Sequence, residues 1–331
     1  MVTRNDVARH AGVSVAVVSY VLNNKSIVKE ETRLRVLRAM EELNYQPNLT
    51  ARSLKTKRSG QLGVLTNFIG NPFEAGILLH LEEAARQYGY MITYHTYRDE
   101  HAEVLKAQLA GRVDGIILLG QSLPDDLLDT FNKRNIPLVS IMKPAHLEIP
   151  LTYVDVDWQA AYGKIFRLLK QQGHSEIALM SHGNSLNPLQ ARMASAIHLL
   201  ETDESFRHMK YQVLEGRGRY ENAYHAIMQL SEPHFTAILC ANDLMAIGTI
   251  AACRDKGWRV PNELAVIGSE NILMVGETNP PIAAVEYPRI QAANMAVEKL
   301  IQLIGGHHGD VESDLIQADF ISRPSLGRDQ E

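Results

Sequence analysis

A chain of 331 residues is long enough for a small head and a large two-lobed body. Its net charge of −5 is unevenly spread: the first 60 residues hold 11 Lys/Arg against 5 Asp/Glu, net +6, and the remainder holds 22 against 33, net −11. Positive charge is thus concentrated where phosphates would be met, and the acidic body limits indiscriminate binding to nucleic acid. The MVTRND start carries no apolar signal segment, and no run approaches the roughly 18 apolar residues of a membrane span, so a cytoplasmic protein without membrane contact is expected. Its two cysteines, Cys240 and Cys253, sit among apolar neighbours and read as buried thiols rather than a disulfide or metal pair.

In chain order, residues 3–24 read as a helix-turn-helix. Thr3 and Asp6 form a capping-box pattern, Val7, Ala8 and Ala11 share one helical face, and Gly12 supplies the stop. Ser14 caps the next helix, whose Val17, Val18, Val21 and Leu22 point inward. Val15, Ala16, Ser19, Tyr20 and Asn23 are left facing out, a set of small or hydrogen-bonding groups suited to base edges in a major groove. A third amphipathic helix, 30–43, is expected to close the core with Leu34, Leu37, Met40 and Leu43. In the linker 47–60, Pro47-Asn48 is a helix-start signal and residues 50–55 have room for a turn or two. So short a helix is marginal alone, because nucleation is unfavourable.

From residue 61 onward, apolar runs at 61–66, 91–94, 115–119, 138–141, 177–181, 237–241 and 264–268 alternate with helical patterns. Those patterns fall at 75–88, 100–110, 158–172, 189–200, 220–230, 244–256 and 288–304. Such alternation signals parallel sheets with helices on both faces. Gly-x-Gly-x-x-Gly after a strand, the P-loop, Gly-x-Ser-x-Gly and His-Glu-x-x-His are all missing, so no enzyme, cofactor or metal site is expected; His307-His308 reads as a solvated turn.

The head and linker resemble the LacI/GalR family of bacterial transcription regulators. The residues that carry the resemblance are Asp6-Val7-Ala8 with Ala11-Gly12-Val13-Ser14, Val18 with Val21-Leu22-Asn23-Asn24, the 30–37 run EETRLRVL, and Tyr45 with Pro47-Asn48 and Ala51-Arg52-Ser53-Leu54. The resemblance implies an all-α helix-turn-helix head over 1–46, a hinge helix and linker over 47–60, and an effector-binding and dimerisation body over 61–331. That body is periplasmic-binding-protein-like, with two doubly wound parallel-sheet lobes. With crossings near Trp158, Tyr287 and Phe320, the N-lobe is expected over about 61–157 and 288–319 and the C-lobe over about 158–287 and 320–331. The partners implied are double-stranded DNA with a palindromic operator, a second copy of the chain, and a small-molecule effector in the interlobe cleft, a sugar or sugar derivative. Open alternatives are a nucleobase or nucleoside corepressor, or a sugar-binding or enzymatic module with an accessory head.

The DNA-contacting set on this reading is Thr3, Ser14, Val15, Ala16, Ser19, Tyr20, Asn23 and Lys29 in the head, with Asn48, Arg52, Leu54 and Lys55 in the hinge. Leu54 matches the family's leucine that wedges into the minor groove at the operator centre. The effector set is Phe73, in the Asn71-Pro72-Phe73 motif, with Trp158, Arg192, Asn242, Asp243 and Glu270; Asp243 equally reads as a helix cap. Several positions depart from the family pattern. Tyr20 stands where arginine is usual, and Lys29 where a serine or asparagine caps. Glu270 carries the carboxylate of Gly268-Ser269-Glu270-Asn271 one methylene further out than the usual aspartate. Trp158 replaces asparagine and offers a stacking surface. Gly216-Arg217-Gly218-Arg219 replaces an aromatic ring; its two arginines are suited to an anionic ligand, although a solvated loop is the simpler reading. The 321–331 tail lacks leucine heptads, which argues against a coiled-coil tetramer.

Overall fold

A computed structural model describes residues 2–22, 25–46, 58–120, 122–144, 149–183, 188–307 and 312–327. The chain divides into two units, Met1–Ser59 and Gly60–Glu331. Asn23, Asn48, Arg52, Leu54, Lys55 and His308 lie outside the described residues.

The head is three helices: α1 (Arg4–Ala11), α2 (Val15–Leu22) and α3 (Glu30–Glu42). Thr3 and Asp6 complete the capping box in both directions, and Gly12 ends α1 in the left-handed region at φ 63°. Val7, Ala8, Ala11, Val18, Val21, Val36 and Ala39 make the buried core, with Val17, Leu22, Met40 and Leu43 packed against it. The buried face of α3 is therefore rotated from the expected one: Leu34 and Leu37 are 47% and 45% exposed. The smaller Val36 and Ala39 take the inside positions because they let three short helices approach closely, which bulkier leucines would prevent.

The body begins with β1 (Gln61–Thr66), α4 (Pro72–Gln87), β2 (Met91–Thr96), α5 (Ala102–Leu109), β3 (Gly115–Leu119), α6 (Asp125–Lys133), β4 (Leu138–Ile141) and β5 (Thr152–Val156). A second set follows: α7 (Trp158–Gln171), β6 (Glu176–Ser181), α8 (Pro188–Thr202), β7 (Lys210–Glu215), α9 (Tyr220–Met228), β8 (Ala237–Cys240), α10 (Asp243–Lys256), β9 (Ala265–Gly268) and β10 (Ala283–Glu286). The chain closes with α11 (Arg289–Ile304), β11 (Asp314–Ile316) and β12 (Asp319–Ile321).

Two six-stranded sheets result, ordered β11-β5-β4-β3-β1-β2 and β12-β10-β9-β8-β6-β7. The strand pairings are parallel except β10 with β12, which is antiparallel. Alternate residues of the first sheet face opposite layers. Leu65, Ile116 and Leu118 pack with Leu109 and Phe131 on one side, and Val64, Ile117 and Leu119 pack with Ile77, Leu81 and Val297 on the other. The chain passes between sheets at residue 157, at 287–288 and at 317–318. The third passage precedes the expected Phe320, because Asp319 already pairs with Glu286 in the second sheet. All three lie toward the same side, so β2 and β7 form the open edges opposite them.

Gly12 holds a left-handed conformation that costs a residue with a side chain roughly 1–2 kcal/mol. Gly12→Ala is expected to lower head stability by that amount, read as weaker amide-exchange protection in α1 and α2 with the body unchanged.

Candidate functional sites

On the head, α2 buries Val18 and Val21 and turns Val15, Ala16 and Tyr20 to solvent, with Ser19 half-buried between them. Tyr20 is 45% exposed and Val15 40%, so a bulky aromatic and a short apolar group project from the same short helix. Ser14 Oγ accepts from Val17 N at 3.3 Å and so starts α2. Thr3 is committed to the capping box, its Oγ1 2.6 Å from Asp6 Oδ2. Lys29 occupies the N-cap of α3 without a side-chain cap bond and leaves its ammonium at the surface. These features make the α2 face a compact reading surface flanked by positive charge.

In the body, the C-terminal ends of both sheets converge on a narrow cleft of about 70 Å³. Lobe one contributes Asn67, Phe68, Asn71, Phe73, Glu74 and Gly120; lobe two contributes His182, Leu189, Arg217, Arg219, Asn242 and Glu270. Asn71 caps α4, accepting from Phe73 N at 3.1 Å. Asn242 caps α10, accepting from Met245 N at 2.9 Å, and its amide donates to Gly218 O at 3.1 Å, which ties the arginine turn to the helix start.

Behind the cleft, charge and aromatic rings are buried together. Arg192 and Glu270 are each 2% exposed and meet at 3.4 Å. The Arg192 guanidinium lies 4.1 Å above the Trp158 ring, and Trp158 Nε1 donates to Asp155 Oδ1 at 3.0 Å. Tyr287 packs edge-on to Phe73 at 5.0 Å. Arg192 and Trp158 also line a second space of about 210 Å³, with Lys143, Asp155, Asp157 and Ser195. Arg192 Nε and Nη2 have no partner among the described residues. Two buried guanidinium donors of this kind are costly unless something accepts from them.

Several expected effector residues are therefore placed differently than the sequence suggested. Trp158 is 4% exposed with Arg192 over its ring, and it lines the second space rather than the narrow cleft. Phe73 reaches the cleft wall but is 2% exposed; the open ring is that of Phe68, at 45%. Asp243 is fully buried and does not line the cleft. Its Oδ1 accepts from Ser269 N at 2.9 Å and Glu270 N at 3.1 Å, and its Oδ2 from Ile272 N at 2.7 Å. It nails the turn that carries Glu270 to the start of α10, and Gly268 must lack a side chain because a Cβ there would lie 2.2 Å from Asp243 Oδ1. Glu270 and Asn242 line the cleft. Arg217 and Arg219 line it too, from a turn that is solvent-exposed as expected of a surface loop. Phe68, Glu74 and His182 went unnoticed in the sequence; the one available signal was their position just past the ends of β1 and β6.

Glu74 is the titratable group most displaced on the lobe-one wall. Burial pushes its carboxyl from 4.5 up to about 7, opposed by the Thr66 hydroxyl that donates to it, the Phe68 amide, and the charge of Arg219. At Glu270 burial likewise pushes the carboxyl up, with the Arg192 charge opposing.

Two outcomes follow from this geometry. Asp243→Ala orphans three buried amides, at about 1–3 kcal/mol each, so thermal unfolding of the body should show a loss of roughly 3 kcal/mol or more. The folded state holds the Glu74 proton more tightly than the unfolded chain, so Glu74 subtracts stability as pH rises from 4.5 to about 7. Glu74→Gln should flatten the melting profile across that window and exceed the parent at pH 8 by up to about 3 kcal/mol.

Comparison with known proteins accounts for both halves. Residues 3–48 match the family described as bacterial regulatory proteins, lacI family, and residues 166–326 match the periplasmic binding protein-like domain. The chain is 28% identical over 333 residues to the HTH-type transcriptional repressor PurR of Proteus mirabilis, covering 98% of this chain and 97% of that one. It is 29% identical, with the same coverage, to PurR of Photorhabdus laumondii. Among solved structures it is similar to the lac repressor dimer bound to operator and the anti-inducer ONPF, with a TM-score of 0.80, 26% identity, and coverage of 98% and 99%. It is also similar to the transcriptional regulator CelR in complex with cellobiose, with a TM-score of 0.71, 25% identity, and coverage of 98% and 100%. A lacI-type helix-turn-helix head followed by a periplasmic-binding-protein-like body is the organisation of a DNA-binding transcription regulator and not of an enzyme, and the chain belongs to the LacI family of bacterial regulatory proteins.

Proposed function

We propose that the chain acts in the cytoplasm as a homodimeric repressor of carbohydrate-utilisation genes, reading a palindromic operator and answering to a sugar or sugar derivative held between its lobes. The observation that carries this reading is the α2 face, with Val15, Ala16, Ser19 and Tyr20 turned outward on a helix whose other side is fixed by Val18 and Val21. A two-fold pair of such helices fits successive major grooves, with Asn23 at the end of each and Lys29 at a phosphate. In the hinge, Leu54 wedges the central minor groove, and Asn48, Arg52 and Lys55 lie along the backbone.

Dimer formation is supported by the open sheet edges. Met91 and Tyr94 on β2 and Val213 on β7 are exposed, and so are Leu79 of α4 at 70% and, elsewhere on lobe two, Leu273 at 87%. Unpaired edges with apolar side chains are surfaces that a second copy would cover.

Effector control is supported by the size and wiring of the cleft. Its present 70 Å³ holds only several waters, so a sugar enters only as the lobes part about the three crossings. Movement of the lobe edges then changes the spacing of the paired hinges, a coupling typically worth about 1–3 kcal/mol. A nucleobase or nucleoside corepressor is the second reading, favoured by the exposed Phe68 ring, which is able to stack a planar base.

The test is selection of bound sites from random DNA by the full-length protein. A palindromic site is the expected product; recovery of no common half-site would overturn the operator reading. In parallel, Tyr20→Arg should shift one half-site position toward guanine, since arginine gains a bidentate base contact worth about 1–3 kcal/mol.

A further inference from the structure

Arg217 and Arg219 stand on the lobe-two wall of the cleft, and among the described residues neither forms an ion pair with a buried carboxylate, although the Arg219 charge is felt at Glu74 across the cleft. Glu270, the carboxylate on that wall, is already engaged by Arg192 at 3.4 Å. Glu74, on the opposite wall, spends an oxygen on the Thr66 hydroxyl. Among the described residues Arg217 pairs with Glu215 alone, at 3.9 Å, with both side chains more than half exposed, and so open a pair holds its charge weakly. Arg219 reaches across the cleft to lie 4.7 Å over the Phe68 ring of lobe one. A ring contact of this kind engages the guanidinium through its charge and leaves its N–H groups available as donors.

A third group joins them. His182 lines the same wall, and its Nδ1 is buried with no partner among the described residues. Burial first, and then the charges of Arg219 and Arg217, lower its proton affinity, which places both arginines close enough to act on one ring. The turn also delivers the chain into α9, whose N-cap Arg219 supplies no side-chain cap to the first amides. Helix start, two guanidiniums and an imidazole edge thus converge on one end of the cleft, the arrangement that receives negative charge. At the other end, Asn67, Asn71 and Glu74 present amide and carboxyl groups of both hydrogen-bonding senses, suited to hydroxyls.

Building on the effector reading of this cleft, we propose that the ligand is a small hydroxylated anion, a sugar acid or sugar phosphate, whose carboxylate or phosphate sits on Arg217, Arg219 and His182 while its hydroxyls face Asn67, Asn71 and Glu74. The cation–ring contact between Arg219 and Phe68 is the position the anion takes over as the lobes adjust around it.

The test is isothermal titration of the full-length protein with D-gluconate, D-glucose 6-phosphate, D-glucose and hypoxanthine. Gluconate or glucose 6-phosphate should bind more tightly than either neutral compound, and which of the two binds separates the carboxylate from the phosphate. The double variant Arg217→Gln, Arg219→Gln should lose at least about tenfold in that affinity while melting as a folded protein. Raising KCl from about 0.05 to 0.3 M should weaken anion binding to the parent protein and leave any binding to the double variant much less affected. Anion binding that the double variant retains in full, a neutral compound binding more tightly than both anions, or binding by none of the four would overturn the inference. A neutral compound that binds and loses its affinity in Glu270→Gln would leave the effector cleft standing and remove only its charge class, while operator binding, measured separately, reports on the regulator reading.

Discussion

The body depends on how it buries charge where its two lobes meet. Asp155, Arg192, Asp243 and Glu270 are all at most 5% exposed, and they come from β5, α8, α10 and the turn after β9. A buried ion is tolerated only when paired and hydrogen-bonded, because the desolvation cost otherwise exceeds what attraction returns. Each of these groups therefore fixes the position of another. Asp243 gathers three amides of the 269–272 turn, that turn brings Glu270 to Arg192, Arg192 lies on Trp158, and Trp158 donates to Asp155 of the other lobe. Arg289, just after the second crossing, closes the circuit by donating to Glu270 O at 2.6 Å.

This circuit explains why the cleft can be both narrow and responsive. The residues that set lobe orientation lie immediately behind those that face the cleft, and Glu270 belongs to both groups. Nε and Nη2 of Arg192, without a partner among the described residues, mark a place where the circuit is incomplete, so a small shift there has an energetic return available. Lobes joined by three short crossings and a polar junction have a limited number of arrangements, which is what two-state control requires.

The head is governed by a different balance. Three short helices enclose a core of small residues, Val7, Ala8, Ala11, Val18, Val21, Val36 and Ala39, and such a core leaves little stability in reserve. Both ends of α1 and the start of α2 are capped, at Thr3, Gly12 and Ser14, whereas α3 starts at Lys29 without a side-chain cap. The exposure of Leu34 and Leu37 follows from the same constraint, since small inward residues give the closest packing and the larger ones are left outside.

How much the sequence could tell depended on the range of the interactions involved. The capping box, the left-handed glycine, the α2 face and the alternation of central strands with helices arise from neighbours a few residues apart, and each is legible in Thr3, Gly12, Val18 or the fully buried run Gly115–Leu119. The edge strand Lys210–Glu215 and the crossing strand Thr152–Val156 were not, because the first is half-exposed and the second is interrupted by the buried Asp155, so neither has a continuous apolar run. Nor could the sequence distinguish Phe68 from Phe73 as the open ring, or Asp243 as a brace from Asp243 as a ligand contact. Those outcomes rest on which groups far apart in sequence reach one another first, as Asp243 reaches Ser269, Glu270 and Ile272, 26 to 29 positions away. Local chemistry set the helices, the strand cores and the family; only tertiary packing, by pairing buried charge across the lobes, decided which side chains were left over to face the cleft.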